Sequence, residues 1–370
     1  MPQAAFHPDD MENTKGPQAA FEPGHDSTPT TYALQHHVAL EVVAHLEQEG
    51  VPFWFRGGTA LHTRIPHRTR FSSDVDVTTT DRALVHDALR TFVDRFPHSG
   101  IVLREPPKEL RVEGVQHMLE FGHSQAPTDQ GPVRVLVEVV EHEERDGFEP
   151  LALAADGHDW NVRVLAPTYD TFTGQKLAVL GPRTIGKPVG LNEDFVHQNQ
   201  GVCKQIFDLR ELLGQDLDQH AVLGAYEAAV REANGLRKTA FQPLQCLEDA
   251  RSLLAHLRDP RTKDKAEPIR YGLWAGYEHS MRWISTQARA AWRERDYRIA
   301  AGVLTRLVAS LVDGGFDREA VARPLAQGPV PGHVVQAIEE ARAGQSEWYR
   351  EDAFGADAGL AWAWAPSEFW

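Results

Sequence analysis

The fold is decided by the stretch FRGGTALHTRIPHRTRFSSDVDV, residues 55–77. It leaves an apolar run, passes the glycine pair Gly57-Gly58 and an arginine-rich segment, and ends with Asp74 and Asp76 on either side of a valine. A glycine pair alone is usually a turn, and an Asp-x-Asp pair alone is usually a solvent-facing part of a strand or a turn. Their combination after a buried strand, at this spacing, favours a functional interpretation of the whole segment.

The acidic pair is predicted to lie on one face of a strand. In residues 73–77 the serine and the two valines alternate with Asp74 and Asp76, and residues at i and i+2 of a strand project to the same face. Two neighbouring carboxylates without a partner repel each other. A divalent cation removes that repulsion, and oxygen-only ligands suit magnesium. The sequence therefore predicts a Mg²⁺ site at Asp74 and Asp76.

The glycine pair predicts a phosphate site beside the acidic pair. Glycine has no side chain, so a phosphate can come close to the backbone. A helix that begins at Thr59 would present free N–H groups to that phosphate. Ser72 or Ser73 offers a hydroxyl donor, and Arg70 offers a positive charge for a triphosphate. The segment is therefore expected to bind a nucleotide, with the metal site as its second wall.

The patterning along the chain predicts an α+β fold, in which a mixed sheet flanked by helices is followed by a mainly α-helical C-terminal domain. Strands are expected where short apolar or alternating runs occur, at 51–55, 73–77, 101–105, 114–122, 133–141 and 160–167. Four segments follow from this pattern: a disordered leader (1–30), an α/β domain (31–168), a helical domain (169–345) and a Trp-rich tail (346–370).

The first helix is predicted to begin at Thr31, because an apolar residue recurs at every fourth position, and to end at Gly50. Those apolar residues are Leu34, Val38, Val42 and Leu46. The helix also contains His36-His37, which is interpreted as solvent-facing helix surface rather than a metal site. Asp81 is expected to cap a later helix that follows the acidic strand.

The composition is ordinary for a soluble globular protein of two or three domains: 370 residues, 42% hydrophobic and 25% charged. The formal net charge of −15 argues against non-specific nucleic-acid binding by the whole protein. The two cysteines have no zinc-site spacing. Because no apolar run has transmembrane length and the N-terminus lacks a signal pattern, we expect a cytoplasmic protein without a membrane partner.

Residues 57–77 resemble motif I of the minimal nucleotidyltransferases, in particular the AbiEii/AbiGii group of abortive-infection and toxin–antitoxin toxins, within the DNA polymerase beta-like superfamily. The residues that match this motif are Gly57, Gly58, Arg70, Ser72, Asp74 and Asp76. The resemblance extends over about residues 35–215. It implies a nucleotidyltransferase-like sheet and an enzyme of this class.

The same resemblance implies further site residues. A third acidic metal ligand on a later strand corresponds to Glu138, with Glu141 as the weaker candidate. A lysine in a "KLxA" helix corresponds to Lys176, and a helix with Lys-x-x-x-Asp corresponds to Lys204 and Asp208. Read without the family, each of these is an ordinary surface charge, and the last two residues form only an i, i+4 ion pair.

The resemblance implies a magnesium-dependent transfer of NMP from an NTP to an acceptor hydroxyl. In that reaction the glycine pair, Thr59 and Ser72 bind the NTP, Lys176 and Arg70 stabilise developing charge, and Asp208 orients Lys176 or the acceptor. The acceptor expected from the resemblance is RNA, above all the 3′ end of tRNA, and a cognate antitoxin protein is an expected partner.

Three alternatives remain open at this point. In the first alternative, the same reaction uses a protein or a small molecule such as an aminoglycoside as the acceptor, and the acidic net charge slightly favours this choice. In the second, the protein is a nucleotide-binding sensor without turnover. In the third, the protein acts through its helical domain and its tail, in which four tryptophans lie within residues 348–370 and either pack onto the body or dock a partner.

Overall fold

The computed structural model describes residues 30–65, 70–95, 101–105, 115–121, 133–142, 146–155, 157–189, 196–258 and 268–280, with isolated positions from 284 to 312. The predicted leader up to residue 29 and the Trp-rich tail lie outside these residues. The chain divides into two compact units, Met1–Ala166 and Pro167–Trp370.

The first unit is built on a seven-stranded mixed sheet with the order β3-β4-β5-β2-β1-β7-β6. The pairs β2–β5 and β1–β7 are parallel, whereas β1–β2, β3–β4 and β4–β5 are antiparallel. The strands are β1 Phe53–Arg56, β2 Val75–Thr79, β3 Ile101–Arg104, β4 Val115–Phe121, β5 Val133–Glu141, β6 Phe148–Ala155 and β7 His158–Pro167. The helices are α1 Thr30–Gln48, α2 Gly57–Arg64 and α3 Arg82–Arg95.

The centre of the sheet is apolar on one side because valines alternate along β2 and β5. These valines are at most 2% exposed: Val75, Val77, Val135, Val137 and Val139. Helices α1 and α3 pack against each other and against β5. Asp81 caps α3 as predicted, since its Oδ1 accepts a hydrogen bond from the backbone N–H of Ala83 at 2.9 Å.

Helix α1 is more deeply buried than the sequence suggested. The predicted apolar stripe is buried, but so are Ala39, Leu40 and Val43, which lie off that stripe. The histidine pair is buried as well, with His36 0% and His37 4% exposed, so its interpretation as solvent-facing surface was wrong. The physical reason is that both rings have partners inside the fold: His36 bonds to a backbone carbonyl, and the His37 ring packs 5.3 Å from that of Trp160.

Three boundaries around the motif differ from the prediction. Strand β1 begins at Phe53 rather than at residue 51, β2 begins at Val75 rather than Ser73, and α2 begins at Gly57 rather than Thr59. Asp74 therefore lies one residue before β2. The start of β2 is explained by a side-chain hydrogen bond: the Asp74 carbonyl accepts from Thr59 Oγ1 at 2.5 Å, so a side chain binds this carbonyl in place of a neighbouring strand.

The second unit is helical in the part that the structure describes. Its helices are α4 Tyr169–Ala178, α5 Val196–Leu213, α6 Gln219–Arg237, α7 Pro243–Arg258 and α8 Pro268–Ser280. The closest packing is between α4 and α6, where a Cβ on Gly174 would lie 2.5 Å from the backbone nitrogen of Tyr226. The predicted fold class is confirmed by this helical unit and the mixed sheet. Among the described residues, no helix is both long enough and apolar enough to cross a membrane.

Candidate active site

The register of the central strands places three charged residues side by side. Asp76 on β2 lies opposite Arg56 on β1 and opposite Glu138 on β5. Residues paired across neighbouring strands project to the same face of a sheet. Asp76 and Glu138 are both half-buried. The structure therefore brings two of the three predicted metal ligands, Asp76 and Glu138, to adjacent positions on one face.

The first glycine lies directly against the acidic strand. Gly57 has φ +74°, a left-handed conformation that strongly favours glycine. A Cβ at this position would overlap Oδ2 of Asp76. Glycine is therefore required at this position for two reasons: the backbone angle is left-handed, and the Asp76 carboxylate occupies the space that a side chain would need.

The second glycine, Gly58, lies against Arg70 and Ser72. A Cβ on Gly58 would lie 2.8 Å from both Arg70 Nη2 and Ser72 Oγ. The N-terminus of α2 is therefore surrounded by a carboxylate, a guanidinium and a hydroxyl. Backbone N–H groups at a helix N-terminus, next to a cation and a hydroxyl donor, are a suitable arrangement for a phosphate.

The predicted NTP ligands Thr59, Arg70 and Ser72 are all buried, at 0%, 4% and 8% exposure. Arg70 Nη1 donates a hydrogen bond to the carbonyl of Phe71 at 3.0 Å. Thr59 uses its hydroxyl to hold the backbone of Asp74. Arg70 and Thr59 thus also hold residues 71–74, which lead into β2.

The remaining predicted metal ligand is Asp74, whose side chain is exposed. Ser73 Oγ lies 3.4 Å from its Oδ1. The weaker candidate Glu141 is exposed and pairs with Arg82 at 3.0 Å. A donor set of carboxylate oxygens suits a hard divalent cation. The described residues contain no group of three or more His, Cys, Asp or Glu that could hold a metal ion, so the complete ligand set remains a prediction.

In the second unit, the predicted Lys176 and Asp208 meet. Lys176 Nζ donates to Asp208 Oδ2 at 2.6 Å and to Gln205 Oε1 at 3.1 Å. Lys176 is 6% and Asp208 0% exposed. The ion pair joins α4 to α5, because the lysine belongs to the former and the aspartate to the latter. Lys204, the other residue of the expected helix motif, is half-buried on α5.

The charge of Asp208 also reaches its neighbour one turn later on α5. Burial raises the pKa of Glu211, and the nearby Asp208 carboxylate raises it further, whereas Arg210 opposes the shift. Arg210 Nη1 lies 2.6 Å from Glu211 Oε1. On this turn Asp208 therefore pairs with Lys176, and Glu211 pairs with Arg210.

One buried residue next to the site was missed by the sequence analysis. His36 Nδ1 lies 2.8 Å from the carbonyl oxygen of Ser72. A signal was present in the sequence, since the run VALEVVAHL after this histidine is apolar on almost every side of the helix. A helix that is apolar all round is a buried one, and a histidine within it needs a partner.

We expect Gly57→Ala to abolish most of the nucleotidyl-transfer activity that the family resemblance predicts, whereas the matched control Gly50→Ala keeps this activity. Gly50 has φ +71°, and in the part of the chain that the structure describes no atom beyond its chain neighbours would lie within 4 Å of a Cβ there. Alanine at this position therefore carries only the cost of the left-handed backbone, about 1–2 kcal/mol. Alanine at Gly57 carries the same cost and also displaces Asp76. Urea unfolding and nucleotidyl-transfer assays of both variants provide the test. Equal losses of activity would show that the contact with Asp76 has no role.

Comparison with known proteins gives an independent assignment. The sequence matches the family described as "Nucleotidyl transferase AbiEii toxin, Type IV TA system" over residues 40–273, more than half of the chain. Among solved structures, MenT4, a nucleotidyltransferase toxin from Mycobacterium tuberculosis H37Rv, has 17% identity and a TM-score of 0.42, covering 76% of this chain and 94% of that one. An antigenic nucleotidyltransferase-like protein from Paracoccidioides brasiliensis has 12% identity and a TM-score of 0.33, covering 58% and 92%. No significant match is found among curated proteins. The family match covers both units' candidate residues, and the chain therefore belongs to the AbiEii family of nucleotidyltransferase toxins.

Proposed function

We propose that this nucleotidyltransferase moves NMP from an NTP to a hydroxyl of RNA, with the 3′ end of tRNA as the favoured acceptor. The observation that carries the proposal is the contact of the Gly57-Gly58 turn with Asp76, Arg70 and Ser72. A phosphate-binding helix terminus and a carboxylate strand in direct contact are what an NTP with a bound cation requires.

In the proposed reaction, the acceptor hydroxyl releases its proton to solvent and its oxygen forms a bond to the α-phosphorus. The bond from that phosphorus to the oxygen that bridges to the β-phosphate breaks, so pyrophosphate leaves. Ser72 and the N–H groups of the glycine turn bind the phosphates, and Arg70 balances their charge. Asp74 and Asp76, with Glu138 as third ligand, would hold Mg²⁺. Held there, the cation would supply activation of the attacking hydroxyl and charge stabilisation for the leaving pyrophosphate.

We assign Lys176 to the stabilisation of charge that develops during the transfer, with Asp208 as the residue that orients it. A fixed cation is effective in this role because it needs no reorganisation when the charge appears. The support for this assignment is that fully buried Asp208 holds the lysine ammonium at 2.6 Å. On this proposal Lys176 and Asp208 of the helical domain, 169–345, take part in the transfer.

The choice of acceptor follows from the family and from the net charge of the chain. The family description implies an antitoxin partner through its type IV toxin–antitoxin system, and a toxin that modifies tRNA would stop translation in the cytoplasm. The net charge of −15 favours a short contact with an RNA end over extended binding to a nucleic-acid duplex. It also favours the second candidate, a cationic acceptor such as a protein or an aminoglycoside.

The test uses purified protein, Mg²⁺ and each of the four NTPs labelled on the α-phosphate, with total RNA and total protein as separate acceptors. We expect label on an RNA band in the tRNA size range, and no label with the Asp74→Ala/Asp76→Ala variant. Label on protein alone would replace RNA by a protein acceptor. NTP binding without any labelled product would identify a nucleotide sensor.

A further inference from the structure

We propose that His36 is a positioning residue for the nucleotide site. It fixes the conformation of the loop formed by residues 70–74, and through that loop it fixes the hydroxyl of Ser72 and the start of the acidic strand. The inference rests on the proposed function, since it concerns the same site. The residue belongs to α1 and is not part of the motif that identified the family.

The loop is held by three side-chain hydrogen bonds to its backbone carbonyl groups, two of which come from residues outside the loop. Residues 71–74 belong to neither helix nor strand, so their carbonyl groups lack the regular bonds of a sheet. Arg70 Nη1 donates to the Phe71 carbonyl, His36 to the Ser72 carbonyl, and Thr59 Oγ1 to the Asp74 carbonyl, at 3.0, 2.8 and 2.5 Å. Of these three donors, His36 is the one that comes from a helix outside residues 55–77.

The geometry of His36 makes it a rigid anchor. The residue is 0% exposed in the middle of a nineteen-residue helix. Its ring also packs edge-on against Phe71, with centroids 6.2 Å apart. A carbonyl oxygen can only accept a hydrogen bond, so Nδ1 carries the proton in this contact. One imidazole thus contacts both Phe71 and Ser72 in the loop.

Loss of this bond is expected to act on nucleotide binding. A buried carbonyl without its donor is unfavourable, and the loop would move to find another partner. Ser72 Oγ and Arg70 Nη2 both lie at the Gly58 turn, so a shift of the loop moves both groups relative to a bound phosphate. A misplacement of about 1 Å at a reactive site can reduce activity by about 10²-fold.

The same helix provides a matched control. His45 is 3% exposed on α1, and its Nε2 lies 3.0 Å from the carbonyl oxygen of Ala88 on α3. It therefore resembles His36 in burial, in helix and in type of bond, but its partner is not in the loop. His36→Leu and His45→Leu each remove one such bond. His36→Asn keeps an amide N–H close to the position of Nδ1.

The experiment measures calorimetric affinities for ATP, GTP, CTP and UTP with Mg²⁺, the KM and kcat of transfer, and urea unfolding midpoints. Relative to His45→Leu, we expect His36→Leu to raise Kd and KM for the preferred NTP by about 10-fold to 100-fold, and His36→Asn to recover most of that loss. The urea unfolding midpoints of the two leucine variants should decrease by similar amounts relative to wild type.

Equal nucleotide affinity of the two leucine variants would overturn the positioning role, and so would a His36→Asn variant as weak as His36→Leu. The binding measurement does not depend on the acceptor. A wild-type protein that binds NTP but labels no RNA therefore refutes the proposed acceptor while still deciding on His36. A wild-type protein that binds no NTP refutes both.

Discussion

Asp76→Asn is expected to lower the rate of nucleotidyl transfer by about 10²-fold to 10³-fold. The substitution keeps the size of the side chain and removes its charge. Asp76 is the point at which the parts of the candidate site converge, since it lies under Gly57 and is paired in register with Arg56 and Glu138. Its carboxylate is therefore the group that a cation on this face would contact most directly.

The control for Asp76→Asn is Asp87→Asn, which makes the same chemical change on the exposed face of α3. Transfer should be unchanged in that variant. Urea unfolding of both proteins separates loss of fold from loss of chemistry. If Asp76→Asn keeps more than a tenth of the wild-type rate while remaining folded, the carboxylate strand is not the reactive centre, and the proposed function loses its main support.

The motif was predictable because its information is local. Asp76 alternates with two buried valines, and Gly57, which contacts Asp76, lies only nineteen residues before it in the chain. Pattern and resemblance together were therefore enough to place both residues. Asp74 was harder to place. Its position before the strand depends on a hydrogen bond from Thr59, fifteen residues away, which no alternation of residue types encodes.

Two features were not predictable from local pattern. Strand β6 has the sequence FEPLALAA, in which a proline and three alanines replace the β-branched residues that indicate a strand. The burial of His36 depends on a carbonyl that lies thirty-six residues later in the chain. In both cases tertiary contacts outweigh the local preference of the residues.

The buried pair in the helical unit lies between these extremes. The resemblance named Lys176 and Asp208 as site residues and left open whether Asp208 orients Lys176 or the acceptor. The structure shows the direct contact of Asp208 with Lys176 across thirty-two residues. A buried ion pair of this kind has two possible reasons to exist, stability and chemistry. These reasons predict different outcomes when the pair is replaced as a whole.

We expect Lys176→Met and Asp208→Leu, made singly, each to lower the free energy of unfolding by about 3–5 kcal/mol, because each leaves one buried charge without its partner. The matched control is Arg231→Met, which breaks an exposed pair with Glu227 whose side chains are 70% and 45% exposed. That change should cost less than about 1 kcal/mol. Urea unfolding followed by circular dichroism measures all three.

The double variant Lys176→Met/Asp208→Leu distinguishes the two reasons. Apolar replacements of a whole buried pair are often neutral or stabilising, so the double variant should be more stable than either single variant. If Lys176 stabilises developing charge, the rate of nucleotidyl transfer by the double variant remains at least about 10²-fold below wild type although its stability is restored. Recovery of transfer together with stability would make the pair purely structural and would remove Lys176 and Asp208 from the mechanism. A stable but inactive double variant would instead mean that the transfer reaction requires the charge of Lys176, because the fold is restored in this variant while the activity is not.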